Sequence, residues 1–539
     1  MGTPEQPAFT PSRLQSSLYN AAQDLIERNI VASRGEKIAF IDAGGGYTYC
    51  ELADRVDRCA VALLTMGVQA EQRVALCLLD TIDFPSCFLG AIKAGIVPVP
   101  LNTSWQPIEL AFALNDSRAK AVVVSESLLP TILKAAALAR WYGQIVVSGK
   151  PPEDVPDTLP CLAELTQAVQ GSATVAATGP DDVCFWLYSS GSTGNPKATL
   201  HLQTSMVRTA ELFARGVLGF QPDDVVYSSA KLFFAYGLGN SLSFPLATGA
   251  TSILYSGRPT VTAVSEIFRK LRPTIFCAVP TLFASLLASS DFPGNQPLSL
   301  RLCTSAGEAL PERLARTWAA CTGVEIVDGI GSTEMLHIFI SNRPGSVRYG
   351  TTGQPVPGYQ ARILDEQGQE VAAGEMGELY VSGPSTAAGY WNNQTKTQGT
   401  FRGEWVKTGD RFRQNPENDY VYCGRSDEML KVSGMWVSPV EIESVLLSHE
   451  CVVEAAVVGA TDECGLIKPK AYVVVNGDAR EGPELTGELN HRLREHLPPY
   501  KCPHWIEIVD QLPKTAGGKI RRNVLRSIAN QPRRKAHWA

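Results

Sequence analysis

The sequence has no apolar run approaching the roughly 18 residues that a membrane-spanning helix needs, so no membrane-embedded helix is expected. Its thirteen cysteines run from Cys50 to Cys502 without a C-x-x-C pair, which argues against a zinc knuckle or a small disulfide scaffold and fits a reducing cytoplasm. No Gly-x-Ser-x-Gly elbow and no His/Cys/Asp set at metal-ligand spacing occurs, so hydrolase readings lack support. Positive charge is also short. With 48 Lys+Arg against 54 Asp+Glu the net charge is −6, and nucleic acid gains no long-range attraction. Residues 1–15 are polar and Pro-containing and do not read as a signal peptide, and Gly2 is not followed by Ser or Thr at position 6, as myristoylation would need.

What is present is an ordinary globular mixture, 44% hydrophobic and 19% charged, on a chain of 539 residues, long enough for at least two cores. Lys37 to Asp42 and Tyr47 to Tyr49 flank Gly44-Gly45-Gly46, a hairpin signal. Thr48 stands three before Glu51, a capping box, ahead of Leu52, Val56, Ala60 and Leu63 at helical spacing. Apolar runs at Val74 to Leu79, Val97 to Leu101 and Ala121 to Ser125, separated by helix-length segments, predict parallel strands covered on both faces. The alternation resumes at Asp182 to Tyr188, Thr251 to Tyr255, Thr274 to Val279, Leu300 to Ser305 and Glu325 to Gly329. From Ala361 the pattern becomes hairpins, and beyond Asp427 a separate α+β pattern begins. The expected fold is α/β: a large N-terminal domain of parallel α/β sheets plus a β subdomain over 1–426, with a small α+β domain over 427–539.

Tyr188-Ser189-Ser190-Gly191-Ser192-Thr193-Gly194-Asn195-Pro196-Lys197 follows an apolar strand. Small residues let backbone N–H groups approach phosphate oxygens, hydroxyls add donors and the lysine adds charge. The glycine spacing is not that of a Walker A loop. This string resembles the phosphate loop of the acyl-adenylate-forming superfamily, which includes the acyl-CoA synthetases, the adenylation domains of peptide synthetases and the luciferases. Further motifs occur in that superfamily's order. Asp328-Gly329-Ile330-Gly331-Ser332-Thr333-Glu334 resembles the adenine segment, Lys407-Thr408-Gly409-Asp410 the ribose turn, and Gly424-Arg425-Ser426-Asp427 the interdomain hinge. Pro513 to Lys519 resembles the C-terminal loop that bears the adenylation lysine.

The resemblance implies ATP, Mg²⁺ and coenzyme A as reactants and cofactors, and an acid-thiol ligase that forms an acyl-AMP before an acyl-CoA. Lys519, Glu334 and Thr193 would be catalytic, with Glu334 and Thr193 on the metal. Ser190, Gly191, Ser192, Thr193, Gly194, Lys197, Gly307, Glu308, Asp328, Gly329, Thr333, Asp410 and Arg425 would hold the nucleotide. Asp427 would be the hinge of a mobile C-terminal domain, and Lys431, Ser433, Gly434 and Trp436 would line the pantetheine tunnel. A carboxylate near bound phosphates suits Mg²⁺, and Asp410 with the forked Arg425 suits a ribose diol. Candidate partners are a lysine acetyltransferase acting on Lys519 and a second copy of the chain. No nucleic acid and no membrane is expected.

Lys231 to Asn240 and His337 to Gly345 resemble the benzoate-activating branch. Phe234, Ala235, Tyr236, Ala306, Gly331, His337 and Ile338 match its acyl pocket. Ala235, Ala306 and Gly331 leave room for a flat guest, Tyr236 and Phe234 supply ring faces, and no Arg or Lys stands there to neutralise a second carboxylate. The alternatives are 4-hydroxybenzoate, 2-aminobenzoate, or loading of an aryl acid onto a carrier protein. His201 and His496 are expected only to pack or hydrogen-bond.

Overall fold

The computed structural model describes residues 17–150, 159–169, 171–191, 194–294, 298–432, 435–462, 466–476, 483–514 and 520–530. The capping box forms as the sequence predicts: Glu51 N donates to Thr48 Oγ1 at 3.1 Å and Thr48 N donates to Glu51 Oε2 at 2.7 Å, opening the helix Tyr49–Thr65. That helix buries Leu52, Val56, Ala60 and Leu63 along one face. The glycine hairpin before it is also present, Ile38–Asp42 pairing antiparallel with Gly45–Thr48.

Ile38–Asp42 then joins Thr251–Ile253, Val225–Ser228, Ile275–Ala278, Leu302–Ser305 and Ile326–Gly331 in a parallel run within a nine-stranded sheet. Ile338–Ser341 adds to its end antiparallel. A second sheet of four parallel strands contains Arg73–Cys77, Val97–Pro100, Ala121–Ser125 and Gln144–Ser148. Val97–Pro100, Ala121–Ser125, Ile275–Ala278 and Leu302–Ser305 are buried along their length, as parallel strands covered on two faces must be.

One strand departs from the expectation of continued parallel alternation. Val183–Gly191 folds back antiparallel on Gly194–Leu202, and Gly389–Tyr390 completes this separate sheet. The reason is local: the phosphate-loop glycines join two strands directly, leaving no crossover helix, and without one the strands must be antiparallel.

The hairpin pattern after Ala361 forms an antiparallel sheet of Gln360–Leu364, Gly377–Ser382, Phe401–Arg402, Trp405–Gln414 and Tyr420–Arg425. Beyond it, Leu430, Val437, Ile442, Leu446, Val457, Val473, Leu489 and Leu493 form a hydrophobic cluster of their own. It lies among the helices Pro439–Leu447 and Pro483–His496 and the strands Val452–Thr461, Ile467–Val475 and Trp505–Ile508. Arg313 reaches this part of the chain, donating to the carbonyls of His449 at 2.6 Å and Glu450 at 3.1 Å. No described helix is long and apolar enough to cross a membrane.

Candidate active site

Lys197 stands on the strand Gly194–Leu202, opposite Ser189. Its ammonium donates to Glu334 Oε1 at 2.9 Å and to the Tyr390 hydroxyl at 2.6 Å, and that hydroxyl donates to Glu334 Oε1 at 2.6 Å. Burial alone would raise the Glu334 carboxyl. The Lys197 charge and the Tyr390 hydroxyl outweigh it and hold the group below its ordinary value.

Glu334 lies in the single turn Thr333–Met335, between the strands Ile326–Gly331 and Ile338–Ser341. Ser332 Oγ accepts from Met335 N at 3.3 Å and fixes the turn. Leu336 follows at φ +65°, a conformation that non-glycine residues hold only where the surroundings impose it, and the chain then presents His337. Gly331 pairs with Ile338 across this connection, and a Cβ there would lie 2.5 Å from the His337 carbonyl oxygen. Only glycine lets the two strands approach so closely. One short connection thus carries both the carboxylate and the wall of the predicted acyl pocket.

On that wall the His337 ring is buried, with ring centroids 4.4 Å from Phe244, 5.4 Å from Tyr236 and 5.6 Å from Phe213. Burial pushes the imidazole down to about 3, so it is neutral at physiological pH. Tyr236 sits in the short helix Ala235–Leu238, its hydroxyl 2.8 Å from Thr304 Oγ1, and burial raises it well above the usual phenol range. Ala306 and Ile338 are buried beside this cluster, whereas Phe234 is 42% exposed with its ring 4.5 Å from Phe233.

The predicted ribose residues meet across two strands. Asp410 pairs with Arg425, and Arg425 Nη1 lies 3.3 Å from Asp410 Oδ1 and donates to the Thr408 carbonyl at 3.2 Å. Gly409 turns at φ +76°, and a Cβ there would stand 2.9 Å from Arg425 Nη2. Burial pushes Asp410 up to about 6 while Arg425 pulls it down; Arg425 itself is held charged by Asp410 and Asp427 against its own burial. The Asp427 carboxylate is 3.5 Å from Arg425 Nε, which connects the predicted hinge to the ribose turn.

Other predicted residues are scattered around these groups. Gly307 turns at φ +89°, and Glu308 Oε2 accepts from Thr281 Oγ1 at 2.8 Å. Asp328 and Gly329 lie in the strand leading to Gly331; burial raises the Asp328 carboxyl well above its usual range. Lys431 pairs with Trp436 in a two-stranded ribbon, and the Trp436 ring has Arg411 5.0 Å and Lys431 5.3 Å from its centroid. Ser192, Thr193, Ser433, Gly434 and Lys519 lie outside the described residues, and Ser190, Gly191 and Gly194 are described only as strand positions. A surface groove of about 440 Å³, lined by Arg118, Lys120, Trp141 and Tyr142 among others, contains none of the predicted residues.

Sequence reasoning missed Tyr390, Thr304, Phe213 and Phe244. Only Tyr390 left a trace, as an isolated Gly-Tyr-Trp in a segment without periodicity. Its contact with Glu334 depends on a two-residue strand that pairs with Thr199 and Leu200. Among the described residues no three or more His, Cys, Asp or Glu side chains converge as a metal site. The donor set is a single carboxylate at Glu334, which fits a Mg²⁺ ion that arrives on nucleotide phosphates, since such ions use one or two carboxylates plus phosphate oxygens.

The chain belongs to the AMP-binding enzyme family: that family's model matches residues 27–391, and the model of the AMP-binding enzyme C-terminal domain matches residues 441–519. It is similar to a benzoate–CoA ligase of Thauera aromatica, with 55% identity across 94% of this chain and 96% of the relative. It also resembles a 4-hydroxybenzoate–CoA/benzoate–CoA ligase of Rhodopseudomonas palustris, 48% identical across 95% and 94% of the two chains. Among solved structures, the anthranilate CoA ligase AuaEII in complex with anthranoyl-AMP superposes with a TM-score of 0.91 at 38% identity, covering 97% of this chain and 99% of that one.

Proposed function

We propose that the chain is a cytoplasmic, ATP-dependent benzoate:CoA ligase. The observation that carries this reading is that one strand connection holds Glu334, paired with Lys197, three residues from His337, whose neutral ring packs with those of Tyr236, Phe213 and Phe244. A flat apolar ring suits the first and the phosphates of ATP suit the second. Ring contacts of this kind add about 0.5–1.5 kcal/mol beyond area burial.

In the first half-reaction a benzoate oxygen attacks the α-phosphorus of ATP, forming the mixed anhydride with AMP and releasing pyrophosphate. Lys197 follows the phosphate chain, Asp410 accepts from the ribose hydroxyls and Arg425 holds Asp410 in place. Lys519 reaches the carboxylate and the α-phosphate, offsetting negative charge as pyrophosphate leaves. Glu334 and Thr193 would hold Mg²⁺, which supplies charge neutralisation on the phosphate oxygens. In the second half-reaction the thiolate of CoA attacks the carbonyl carbon, the C–O bond to AMP breaks and benzoyl-CoA forms. Residues 427–539, turning at Asp427, would withdraw Lys519 and present the Lys431–Trp436 ribbon to the pantetheine arm. Acetylation of Lys519 would remove its charge and stop the first half-reaction.

A specific observation favours 4-hydroxybenzoate as a second substrate. His337 Nδ1 is buried with no hydrogen-bond partner among the described residues, and a para hydroxyl reaching it would recover the bond that burial withholds. The test is kcat/KM for benzoate, 4-hydroxybenzoate, 2-aminobenzoate and acetate with ATP, Mg²⁺ and CoA. Benzoate should lead and acetate should trail by orders of magnitude. A clear preference for another acid overturns the assignment of substrate, and loss of turnover with CoA but not with a carrier protein overturns the assignment of acceptor.

A further inference from the structure

We propose that Tyr390 is a positioning residue for the metal-binding carboxylate, keeping Glu334 presented when Lys197 leaves it for the nucleotide. The inference rests on the reading that Glu334 holds Mg²⁺. Lys197 and Tyr390 bond to the same oxygen of Glu334, and the Tyr390 hydroxyl also accepts from Lys197. The ammonium further lies 4.2 Å from the Tyr390 ring centroid. The three groups close a ring in which the hydroxyl receives one hydrogen bond and gives another.

The two partners of Glu334 differ in what fixes them. Lys197 is a long side chain three residues beyond Gly194, with a charge that triphosphate attracts. Tyr390 is tied by its backbone to Thr199 on the neighbouring strand, by its N–H to Thr397 Oγ1 at 3.1 Å and by its ring to Phe401 at 5.3 Å. When Lys197 turns to the phosphates, the carboxylate loses its cation, and an uncompensated buried charge is costly. The Tyr390 hydroxyl stays and keeps Glu334 Oε1 hydrogen-bonded in place until the metal arrives with the nucleotide. Without that bond the carboxylate is free to follow the departing lysine, and the ion pair competes with the metal.

The experiment compares ATP affinity with and without Mg²⁺, by calorimetry in the absence of acid and CoA, for the parent protein, Tyr390→Phe, Glu334→Gln and Lys197→Met. Phenylalanine retains the ring and its contact with Phe401, so only the hydroxyl is lost. The Mg²⁺ enhancement of ATP binding should fall on the order of tenfold in Tyr390→Phe, as expected for one hydrogen bond to a charged group, while Mg²⁺-free binding changes less than about twofold. A merely structural defect would weaken both equally. Glu334→Gln should lose the enhancement, and Lys197→Met should bind ATP less tightly in both conditions yet keep most of it. If Glu334→Gln loses the enhancement and Tyr390→Phe keeps it, the role of Tyr390 is overturned. If Lys197→Met loses as much as Glu334→Gln, the lysine rather than the tyrosine positions the carboxylate. Full enhancement in Glu334→Gln overturns the metal assignment itself.

Discussion

Replacing Gly331 by alanine tests the close pairing of the two strands that bracket Glu334. The added methyl would lie 2.5 Å from the His337 carbonyl oxygen, 2.6 Å from its carbon and 2.9 Å from Ile338 N. The nearest contact is about 0.9 Å short of the 3.4 Å at which ordinary contact begins. All three atoms are backbone, so no rotamer change relieves them. The strand Ile338–Ser341 must move outward, carrying His337 and Ile338 with it. Overpacking of this kind costs about 1–3 kcal/mol. Expressed in the transition state, that is a loss of roughly 5- to 150-fold in kcat/KM for benzoate. Gly329→Ala is the milder comparison, because its methyl first meets the Ile338 Cγ2 side-chain carbon at 2.9 Å and a backbone oxygen only at 3.1 Å. The assay is benzoate-dependent release of pyrophosphate across a range of benzoate concentrations. If Gly331→Ala stays within twofold of the parent, or if Gly329→Ala is the more damaging change, the reasoning about this strand pair is wrong.

Burial pushes Asp410 up to about 6, so affinity for ATP should fall as pH drops through that value, and Asp410→Asn should flatten the dependence measured between pH 5.5 and 7.5. The stability contribution of the same group runs the other way: its folded value lies above the ordinary value of 3.8, so the native state takes up a proton and gains stability from this group as pH falls from about 6 towards 3.8. Lys519→Ala should nearly abolish adenylate formation while thioester formation from preformed benzoyl-AMP continues; equal loss in both half-reactions, measured separately, would falsify its assignment. Stoichiometric acetylation of Lys519 should have the same effect as Lys519→Ala. Asp427→Pro should leave one half-reaction and stop the other, since proline fixes φ near −65° and a hinge must change its torsions; parent-like rates in both would remove Asp427 as the pivot.

The elements that the sequence revealed are those whose signal is local. The Thr48–Glu51 box, the glycine hairpin before it and the buried parallel strands each follow from residues within a few positions of one another. The antiparallel return of Gly194–Leu202 was hidden because an apolar run reads the same in either direction and its partner is chosen by connection length. In the candidate site, motif order gave Lys197, Glu334, Asp410 and Arg425, and the structure brings them together as two charged clusters. Tyr390 and Thr304 were not legible, since each acts through one hydroxyl placed by strand pairing over long sequence separations. Phe213 and Phe244 reach His337 from helical segments far from it in sequence, where an aromatic residue reads only as core.

The two halves of the candidate site handle charge in opposite ways, and in the proposed function that difference orients the acid. Around Lys197, Glu334, Asp410 and Arg425 each charge has an opposite partner. Around Tyr236 and His337 burial moves the phenol up and the imidazole down, so both stay neutral and neither can compensate a carboxylate. A benzoate ion that entered carboxylate first would leave its charge unpaired against aromatic rings, at a cost of several kcal/mol. In the proposed function, a ring-first benzoate sets its apolar face on the neutral wall and turns its carboxylate towards Lys197 and the nucleotide. On the same reading, an acid with a second carboxylate at the far end of the ring should be a poor substrate, because that group would meet the unfavourable environment whichever end entered first. In the proposed function, selection of a monocarboxylate and its alignment for attack on phosphorus therefore follow from one property, the neutrality of Tyr236 and His337.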